Sequence, residues 1–595
     1  MPQSTIPQRL LEHARRRGSE NALYERQHDR WRTLTWREYA DRARAFAAGL
    51  VKLGCQKGDA IAIIGDGCAD WLVADMAAMM VGVVPAGIYT TSTPDQALYI
   101  LSHSKAKVFV CQTPEIWHAL SSRIDELPDL RCVVLMHGAE ACDASLVTSF
   151  SSFLIHDAAV HSAVDQAIEG LEPDDLATLI YTSGTTGDPK AVMLSHGNLA
   201  WTAEMLNDAT GRIVSTEDCV VSYLPLSHIA EQMFSIHLPA TYGFPVWFAG
   251  SLERLKDTLI EARPTLFLAV PRVWEKFMAA LDTKLSELTG FKSSLVKWAM
   301  NVGRQSGHCA FSGQESSSLL KLKYRLADRV FFKPLLKQLG LDRLRLAVSG
   351  AAPISQTVIE FFQGCGLLIH EVYGQSEDTG PTTFNRPEAG WRRLGTVGRP
   401  VPGVDVRIAA DGEICVRGPN VFKGYLHDPE ATSEALVDGW LHSGDIGHFD
   451  SDGFLIITDR KKNIIITAGG KNIAPQQIES QLKSIDGISQ AVVIGDKRRY
   501  LIAILTVDAE RVRTLATEKS WAAGSLADQP EFKDYVQTQL DIINDRLARY
   551  EQIKYIHLLE NEFTVEAGEL TPTQKVKRRA VELKYTAEID ALYAR

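Results

Sequence analysis

The sequence predicts an α/β protein with three parts: a large N-terminal region of doubly wound α/β subdomains, a small β unit, and a small α/β C-terminal region. Helical and strand patterns alternate over residues 35–115 and again between 219 and 348, as in parallel βαβ units. Residues 395–458 change to short strands separated by Gly and Pro, and a compact α/β pattern begins after Arg460. We therefore predict domains at 1–459 and 460–595, with a helical insert at about 281–340.

Each element follows from its apolar pattern and its boundary residues. Thr35 opens a capped helix that runs to Leu53, and a second helix covers 70–81. Short apolar runs predict strands, since they are bounded by turn residues. In the N-terminal region these strands are 60–64, 106–110, 176–180, 219–223, 266–270, 344–348 and 367–369. In the C-terminal region we predict strands at 463–467, 491–494 and 501–505 and a helix from Pro475.

Composition narrows the class of protein. A chain of 595 residues is too long for one core, and its 45 % hydrophobic and 23 % charged residues are ordinary for a soluble enzyme. The net charge of -10 argues against nucleic acid as a partner, because phosphate backbones require basic patches. The nine cysteines form no C-x-x-C pair, which is typical of reduced cytosolic thiols.

The chain shows no targeting or membrane-spanning pattern. Its first residues lack the apolar core of a signal peptide, and the most apolar long stretch, 71–87, contains Asp75 and Pro85. We therefore expect a soluble cytoplasmic protein. Peripheral association with a membrane through a surface patch and formation of a homodimer are both compatible with this composition.

The most informative stretch is residues 181–190, which follows the apolar run 176–180. Two glycines, four Ser or Thr hydroxyls, an acid and a lysine fall within one turn. Glycine lets backbone N–H groups approach an anion, hydroxyls add donors, and lysine adds a compact positive charge. The Walker A spacing is absent, and a simple polar turn is the alternative. The predicted phosphate-binding residues are Thr182, Ser183, Gly184, Thr185, Thr186, Gly187 and Lys190.

Three further segments have side chains suited to a nucleotide. Tyr373 beside Gly374 can stack on a purine, and Ser376 and Glu377 can meet phosphate and Mg²⁺. The small residues of 349–353 leave room for a flat ring. Asp445 can accept both ribose hydroxyls. Taken alone, the Tyr373 segment is more often a strand-to-turn junction, and a single Asp in a Gly turn is usually only a turn-former. The alternative for 349–353 is a close-packed βα turn.

Five motifs in order over 181–579 resemble the adenylate-forming superfamily, and the chain is most similar to its long-chain fatty acyl-CoA synthetases. The resemblance implies that Tyr373 flanks an adenine walled by Gly350, Ala351 and Ala352. It also implies that Ser376 contacts the α-phosphate, Glu377 binds Mg²⁺ and Asp445 binds the ribose. The chain departs from the usual motifs at three positions, with Ala191 for Gly, Ser443 for Thr and Gln574 for Gly.

The same resemblance assigns roles in the C-terminal region. It implies a mobile domain with Asp459 as the pivot and Arg460 near the ribose and phosphate. Gly469 and Gly470 would line the passage for a thiol arm. The terminal motif, residues 568–579, places a catalytic lysine at Lys575, with Lys577 as the alternative if the register differs by one turn.

Similarity also bears on the acyl substrate. Residues 270–276 are similar to the segment whose tryptophan gates the acyl tunnel, so Trp274 is the candidate gate, with core packing as the alternative. Residues 223–228 resemble the segment beside the acyl site and make His228 a candidate. A Ser227–His228 hydrolase dyad is discounted, because no G-x-S-x-G motif occurs. The cationic helical insert is either a brace for the sheet or a rim for acyl chains or a membrane.

The reaction implied is activation of a long-chain fatty acid by ATP and Mg²⁺, followed by transfer to CoA. Catalysis would depend on Lys575 and Glu377. Three alternatives remain: a carrier-protein thiol as acceptor, a luciferase-like oxygenase, and a non-catalytic binding protein. The presence of Lys190, Glu377, Asp445 and Lys575 together argues against the last.

Overall fold

The structure is a computed structural model. It describes residues 4–27, 30–142, 145–182, 188–469, 471–521, 527, 529–565, 567–571 and 575–595. The predicted phosphate-binding residues 183–187 and Gly470 lie outside these ranges.

The largest sheet in this part of the chain has eight strands, and it is built from the predicted βαβ units. Six strands, from Leu176–Thr182 to Val147–Ser149, are parallel to one another. Lys190–Ser195 pairs antiparallel with both Leu176–Thr182 and Gly424–Tyr425. In spatial order they are Gly424–Tyr425, Lys190–Ser195, Leu176–Thr182, Val84–Ile88, Ala60–Ile64, Ala106–Cys111, Cys132–Leu135 and Val147–Ser149.

Two smaller sheets complete the α/β body. One contains parallel strands followed by two antiparallel ones, in the order Leu266–Ala269, Leu346–Ser349, Ile369–Tyr373, Thr383–Phe384 and Arg399–Pro400. The other contains Val220–Ser222, Val246–Phe248, Asn21–Gln27 and Arg30–Thr35. In the first of these sheets, the strands Leu346–Ser349 and Ile369–Tyr373 are parallel neighbours. The small-residue turn at 350 and the Tyr373 motif lie at their carboxyl ends, so the topology brings these segments side by side.

The predicted β unit is present as an antiparallel sheet. Its order is Asp405–Ile408, Glu413–Arg417, Trp440–Phe449 and Leu436–Val437, with Leu455–Arg460 also paired to Trp440–Phe449. The sequence predicts Asp445 at the end of a strand, but this residue lies inside the long strand Trp440–Phe449. The strand continues through Asp445 because it has a pairing partner on each side.

Helices cover the sheets of the N-terminal region. The predicted capped helix is confirmed as Trp36–Lys52, with Thr35 and Glu38 forming a reciprocal capping box. The other helices here are Ile6–Arg16, Ala69–Met80, Pro94–His103, Pro114–Ser121, Phe150–Phe153, Ala158–Glu169, His196–Ala209, Ile229–Gln232, Leu238–Tyr242, Leu255–Ala262, Gln356–Gly364 and Pro429–Ala435.

The insert is helical, as its sequence predicts. Its helices are Pro271–Ser286, Gly290–Phe311, Ser318–Ala327 and Lys333–Gln338, and a π-helical segment, Asp328–Phe332, joins the last two. Their inner faces pack with the 266–373 sheet in one apolar cluster that includes Trp274 and Phe332. Among the helices of the described residues, none has both the length and the apolar character needed to cross a bilayer.

The C-terminal region has its own apolar cores and sheet. Strands Ile488–Ile494, Leu501–Val507 and Ile553–Leu559 form the sheet, and Ile465–Ile466 pairs with Asn472–Ile473. The helices are Pro475–Lys483, Ala509–Glu518, Pro530–Asn544, Arg578–Lys584 and Thr586–Tyr593. The α/β fold class is thus confirmed, while the boundary at 459 and the mobility of this region stay predictions.

Several predicted strands have different limits in the structure, and two are the clearest cases. The strand predicted at 367–369 runs instead over Ile369–Tyr373, so Tyr373 belongs to the strand. Pairing of Val372 and Tyr373 with Thr383–Phe384 extends it. The strand predicted at 463–467 is reduced to Ile465–Ile466 by a 3₁₀ turn over Lys461–Asn463.

Candidate active site

The candidate ribose site joins three residues from different strands. Tyr373 ends its strand with a buried ring, and its hydroxyl donates to Asp445 Oδ2 at 2.9 Å. Asp445 is paired with Arg460 across adjacent antiparallel strands, and Arg460 Nε lies 3.1 Å from Asp445 Oδ1. The buried carboxylate is therefore held by a phenol and a guanidinium. The structure thus brings together three residues from three separate sequence motifs.

The small-residue turn lies against the Tyr373 strand. A side chain at Gly350 would bring a Cβ to 2.7 Å from Val372 Cγ1, so this position needs glycine. Ala351 has a positive φ of 66°, an uncommon conformation for a residue with a side chain. Ala352 is exposed. The turn thus offers a narrow small-residue surface next to Tyr373, and its role as a wall for a flat ring stays a prediction.

Glu377 lies in the 3₁₀ turn Ser376–Asp378, immediately after that strand. The chain reverses so tightly that a Cβ on Gly374 would lie 1.3 Å from the carbonyl oxygen of Gly380. Ser376 is buried, and Glu377 is partly exposed. The Tyr425 hydroxyl donates to Glu377 Oε1 at 2.8 Å and orients the carboxylate. Sequence reasoning missed Tyr425, because nothing local marks it.

Lys190 lies at the start of the strand that leaves the predicted phosphate loop, and it is opposite Thr182 in the sheet register. Its ammonium group is 3.6 Å from Asp428 Oδ2 and lies over the Tyr425 ring at 5.1 Å from the centroid. Asp428 also caps the helix Pro429–Ala435. The lysine is therefore positioned by two residues that the sequence did not single out.

The Lys575 side chain lies in the same cleft. It keeps more than a third of its surface open to solvent, yet protein surrounds its ammonium group on most sides. This desolvation lowers the pKa of Lys575 to about 8, assisted by the positive charges of Arg460 and Lys462 and opposed by Asp445 and Glu377. Lys575 is thus electrostatically coupled to the candidate ribose and metal residues. Lys577, the alternative, precedes the helix Arg578–Lys584 as its capping residue.

The loop that carries Lys575 is held at its base. The Thr571 N–H donates to the Lys575 carbonyl at 2.8 Å, and the Lys575 N–H donates to Thr571 Oγ1 at 3.0 Å. Leu570 and Val576 form a β-bridge beside this pair. These contacts therefore fix the position of the Lys575 backbone relative to the C-terminal region.

His228 faces Lys575 from the N-terminal region. Burial and, to a smaller extent, the positive charge of Lys575 lower the pKa of His228 to about 4, so the imidazole is neutral at pH 7. Its Nδ1 accepts a hydrogen bond from the Ala230 N–H at 3.2 Å. A neutral imidazole that accepts at Nδ1 carries its proton on Nε2, so Nε2–H remains available as a donor.

The other predicted residues have less direct positions. Trp274 is fully buried and packs edge-on against Phe267 and Phe362, with ring centroids 5.5 and 5.1 Å away. Gly469 is exposed, and a Cβ there would meet only Thr467 Oγ1, at 3.9 Å. The Trp274 gate and the Gly469 thiol passage remain proposals.

Asp459 is fully buried at the predicted boundary. Its Oδ1 accepts from the Arg460 N–H at 2.6 Å, and its Oδ2 accepts from the Gln476 N–H at 2.7 Å. Gln476 lies in the first turn of the helix Pro475–Lys483, where unpaired N–H groups favour an anion. Asp459 therefore connects the last strand of the β unit to the first helix of the C-terminal region.

Two further charged residues belong to this site. Desolvation lowers the pKa of Lys462, which shares the Arg460, Asp445 and Glu377 neighbourhood with Lys575. Glu413 is buried and accepts from the Gly444 N–H at 2.9 Å and from Lys461 Nζ at 3.0 Å. The run of basic residues at 460–462 was a signal for Lys462, but nothing in the sequence indicated Glu413.

The donor set fits a magnesium ion shared with a nucleotide. Mg²⁺ takes oxygen ligands and is commonly bound by one or two carboxylates together with substrate phosphates. Glu377 supplies one partly exposed carboxylate in the cleft. Within the described ranges, no group of three or more His, Cys, Asp or Glu side chains is arranged to bind a metal by itself.

Comparison with known families gives two matches that together span most of the chain. A family model described as AMP-binding enzyme matches residues 10–426, and one described as AMP-binding enzyme C-terminal domain matches 462–595. The chain is 35 % identical to the long-chain-fatty-acid–CoA ligase ACSBG2 of Xenopus laevis, covering 100 % of this chain and 84 % of that protein. It is also 35 % identical to the long-chain-fatty-acid–CoA ligase FadD15 of Mycobacterium tuberculosis, covering 95 % and 92 %.

Solved structures share the fold at low sequence identity. The anthranilate CoA ligase AuaEII in complex with anthranoyl-AMP has a TM-score of 0.72 at 19 % identity, covering 100 % of this chain and 99 % of that chain. The o-succinylbenzoate CoA synthetase MenE of Bacillus subtilis in complex with ATP and magnesium has a TM-score of 0.67 at 22 % identity, covering 96 % and 98 %. At such identity these structures bear on the fold alone.

Proposed function

The chain belongs to the family of AMP-binding enzymes, and on that premise we propose that it is a long-chain fatty acid:CoA ligase. It activates a fatty acid with ATP to acyl-AMP and pyrophosphate, and then transfers the acyl group to CoA with release of AMP. The observation that carries this proposal is the cleft in which Lys575 is coupled to Glu377, Asp445 and Arg460 and faces His228.

The first half-reaction brings two anions together. The fatty acid carboxylate attacks the α-phosphorus of ATP in line, and pyrophosphate leaves. Such a reaction needs preorganised positive charge more than a general base. Lys575 would neutralise charge that develops between the carboxylate and the α-phosphate, and the neutral His228 would donate Nε2–H to a carboxylate oxygen.

The remaining residues hold the nucleotide. Tyr373 and the 350–352 turn would bind the adenine, while Asp445, positioned by Tyr373 and Arg460, would accept the ribose hydroxyls. Thr182 and Lys190 would contact the β- and γ-phosphates, together with residues 183–187, and Ser376 the α-phosphate. Glu377 would hold Mg²⁺, whose charge neutralises the departing pyrophosphate.

In the second half-reaction, the thiol of CoA attacks the acyl carbon and AMP leaves. Acyl-AMP is a mixed anhydride that water hydrolyses, so the site must exclude water until the thiol arrives. We propose that the C-terminal region rotates about Asp459 to withdraw Lys575 and present Gly469 and Gly470. Gly469 is exposed in this structure, and a Cβ built there would meet only Thr467 Oγ1 within 4 Å, which leaves room for a thiol arm.

The substrate class, cofactors and location complete the proposal. Fatty acid, ATP and CoA are the substrates, Mg²⁺ is the metal, and Trp274 gates the acyl tunnel by moving from its buried position. A cytoplasmic location, association with a membrane surface and a homodimer stay predictions. A carrier-protein thiol in place of CoA is the second candidate function, because it would present the same pantetheine arm.

The direct test measures AMP and pyrophosphate released from Mg-ATP with carboxylic acids from acetate to oleate, with and without CoA. We expect long acids to give AMP and acyl-CoA when CoA is present. Bound acyl-AMP without a thioester would point to a carrier-protein thiol or, if O₂ is consumed, to an oxygenase. Absence of AMP with every acid would contradict the proposal.

The role of Lys575 can be separated from the rest of the site. Lys575→Ala should lower adenylate formation by about 10²–10³-fold, because it removes the charge that meets the transition state. Thioester formation from supplied acyl-AMP should be almost unchanged. Lys577→Ala is the matched control and should retain both half-reactions. Equal loss of both half-reactions in Lys575→Ala would contradict the assigned role.

A further inference from the structure

The helix hairpin of the insert has an exposed apolar stripe. Leu319, Leu322, Leu326 and Val330 are 61, 64, 54 and 42 % exposed. They follow the spacing i, i+3, i+7 and i+11 along the helical stretch that runs from 318 to 338, so they lie on one face. Four large aliphatic side chains aligned in solvent form an unusual surface for a soluble protein.

The inner face of the same stretch is firmly attached to the protein. Ala327 and Phe332 are fully buried, and the Tyr324 hydroxyl donates to the Gly366 carbonyl at 3.4 Å. A side chain at Gly366 would bring a Cβ within 2.6 Å of the Phe332 ring. The inner face of this helical stretch already packs against the core of the protein. The exposed stripe is therefore a second apolar face on the opposite side.

The stripe is surrounded by positive charge. Residues 318–338 contain six basic residues and one acidic residue, hence a formal charge of +5 in a chain of net charge -10. The acidic residue, Asp328, is paired with Lys333 at 3.2 Å. The exposed basic residues are Lys321, Lys323, Arg325, Arg329, Lys333 and Lys337.

The other helix of the hairpin, Gly290–Phe311, also has exposed apolar and basic residues in its first turn. Gly290–Phe311 packs against Ser318–Ala327, and Phe291 in its first turn is 82 % exposed, next to the exposed Lys292. An exposed aromatic ring, an aliphatic stripe and flanking cations are the combination found in helices that lie in a membrane interface.

We propose that this hairpin face, defined by the apolar stripe Leu319, Leu322, Leu326 and Val330 with its basic flanks, docks on an anionic lipid bilayer. Charge complementarity selects this occupant. A second copy placed symmetrically on the face would bring two +5 surfaces together, which is repulsive. Nucleic acid would meet the cations through its phosphates but would leave the central leucines without a partner.

The position of this face relative to the candidate acyl site explains why docking would help the enzyme. The inner side of the helical stretch shares one apolar cluster with Trp274, and Phe362 contacts the Trp274 ring edge-on. This part of the argument depends on the proposed function, because only a long-chain acid would reside in a bilayer. Docking would then bring the acyl side of the enzyme to the membrane that holds its substrate.

The test is cosedimentation of the full chain with vesicles of phosphatidylcholine alone or mixed with phosphatidylglycerol, without ATP or CoA. We expect pelleting with the anionic vesicles that weakens as KCl is raised, since salt screens the lysines and arginines. Leu322→Asp together with Leu326→Asp should reduce the partition coefficient about tenfold or more. Lys323→Glu together with Arg329→Glu should abolish the preference for anionic lipid.

Matched controls lie on surfaces outside the hairpin. Leu583→Asp alters a leucine that is 70 % exposed in the C-terminal region, and Lys52→Glu alters an exposed lysine of the N-terminal region. Both should bind vesicles as the unaltered chain does, and all variants should retain its thermal unfolding temperature.

Three results would overturn the docking proposal: no preference for anionic vesicles, equal pelleting by the hairpin variants, or concentration-dependent self-association that the hairpin variants abolish. Failure of the proposed function is a separate outcome. A chain that binds vesicles but forms no acyl-AMP would keep the docking surface and lose the ligase assignment. A chain that forms acyl-CoA without binding vesicles would keep the ligase assignment and lose the docking surface.

Discussion

At the scale of single residues, Lys575 gives the site a defined pH dependence. Desolvation in the cleft lowers the pKa of its ammonium group to about 8. Its positive charge is therefore lost as the pH rises through about 8 in the free enzyme. We expect kcat/KM for adenylate formation to fall in that range, measured by pyrophosphate release at saturating magnesium. Lys575→Arg should be slower but should lack this decline, because a guanidinium stays protonated.

The same group affects folding stability with the opposite sign. The pKa of Lys575 is lower in the folded state than in the unfolded chain, so between about pH 8 and 10.5 the unfolded state binds more protons. The contribution of Lys575 to the free energy of unfolding should therefore rise over this window while activity falls. A parallel decline of activity and of the Lys575-dependent stability would indicate general alkaline unfolding.

Tyr425 is the second residue with a separable role. Its hydroxyl donates to Glu377 and its ring lies beside the Lys190 ammonium group. Tyr425→Phe keeps the ring and removes the donor, so the apparent KM for magnesium should rise about tenfold, the loss expected for a hydrogen bond to a charged group. Tyr425→Leu removes both contacts and should also raise the KM for ATP. Identical kinetics for the two variants would mean that the hydroxyl does not position Glu377.

At the scale of elements, the turn after the strand Ile369–Tyr373 depends on a close backbone approach. A Cβ on Gly374 would lie 1.3 Å from the Gly380 carbonyl oxygen, and neither backbone group can move without displacing Glu377. Gly374→Ala should lower the free energy of unfolding by about 1–3 kcal/mol and weaken ATP binding. Urea unfolding and nucleotide titration provide the measurements.

Gly469→Ala is the matched control for that substitution. Its added Cβ would have only Thr467 Oγ1 within 4 Å, at 3.9 Å. Stability and adenylate formation should therefore match those of the unaltered chain. If both alanine variants lost the same stability, the close approach at Gly374 would not be the cause.

At the scale of the whole molecule, contacts between the two regions hold Lys575 in the cleft. Arg272, two residues before Trp274, lies 3.1 Å from Glu562 of the C-terminal region and 3.4 Å from Ser489 Oγ. The ion pair is partly exposed, so it is worth at most about 1 kcal/mol, or roughly a fivefold change in rate. Glu562→Gln should therefore slow adenylate formation by about two- to fivefold and leave thioester formation from acyl-AMP unchanged.

Glu518→Gln provides the comparison for Glu562→Gln. Glu518 pairs with Arg511 at 3.3 Å within the C-terminal region, and this contact does not join the two regions. Its loss should leave both half-reactions at their original rates. Equal slowing by the two variants would show a general charge effect and would argue against a role for the Arg272–Glu562 contact.

The sequence by itself determined the α/β class, most strands and helices, and the family. It could do so because these depend on local patterns: apolar periodicity, the Thr35 cap, and motifs such as 181–190 and 372–377 whose residues are neighbours in the chain. The candidate site residues Tyr373, Glu377, Asp445 and Lys575 were predicted for the same reason, since each lies in a short motif.

Only the tertiary structure decided how those motifs meet. Tyr425 reaches both Glu377 and Lys190 because its strand pairs with the strand that begins at Lys190, a contact over more than 200 residues of sequence. The pairing of Arg460 with Asp445 extends the strand beyond the end that the sequence predicts. The buried position of Trp274 depends on an aromatic ring that is distant in the sequence. Long-range pairing and burial have no local sequence pattern, because they depend on which distant surfaces the fold brings together.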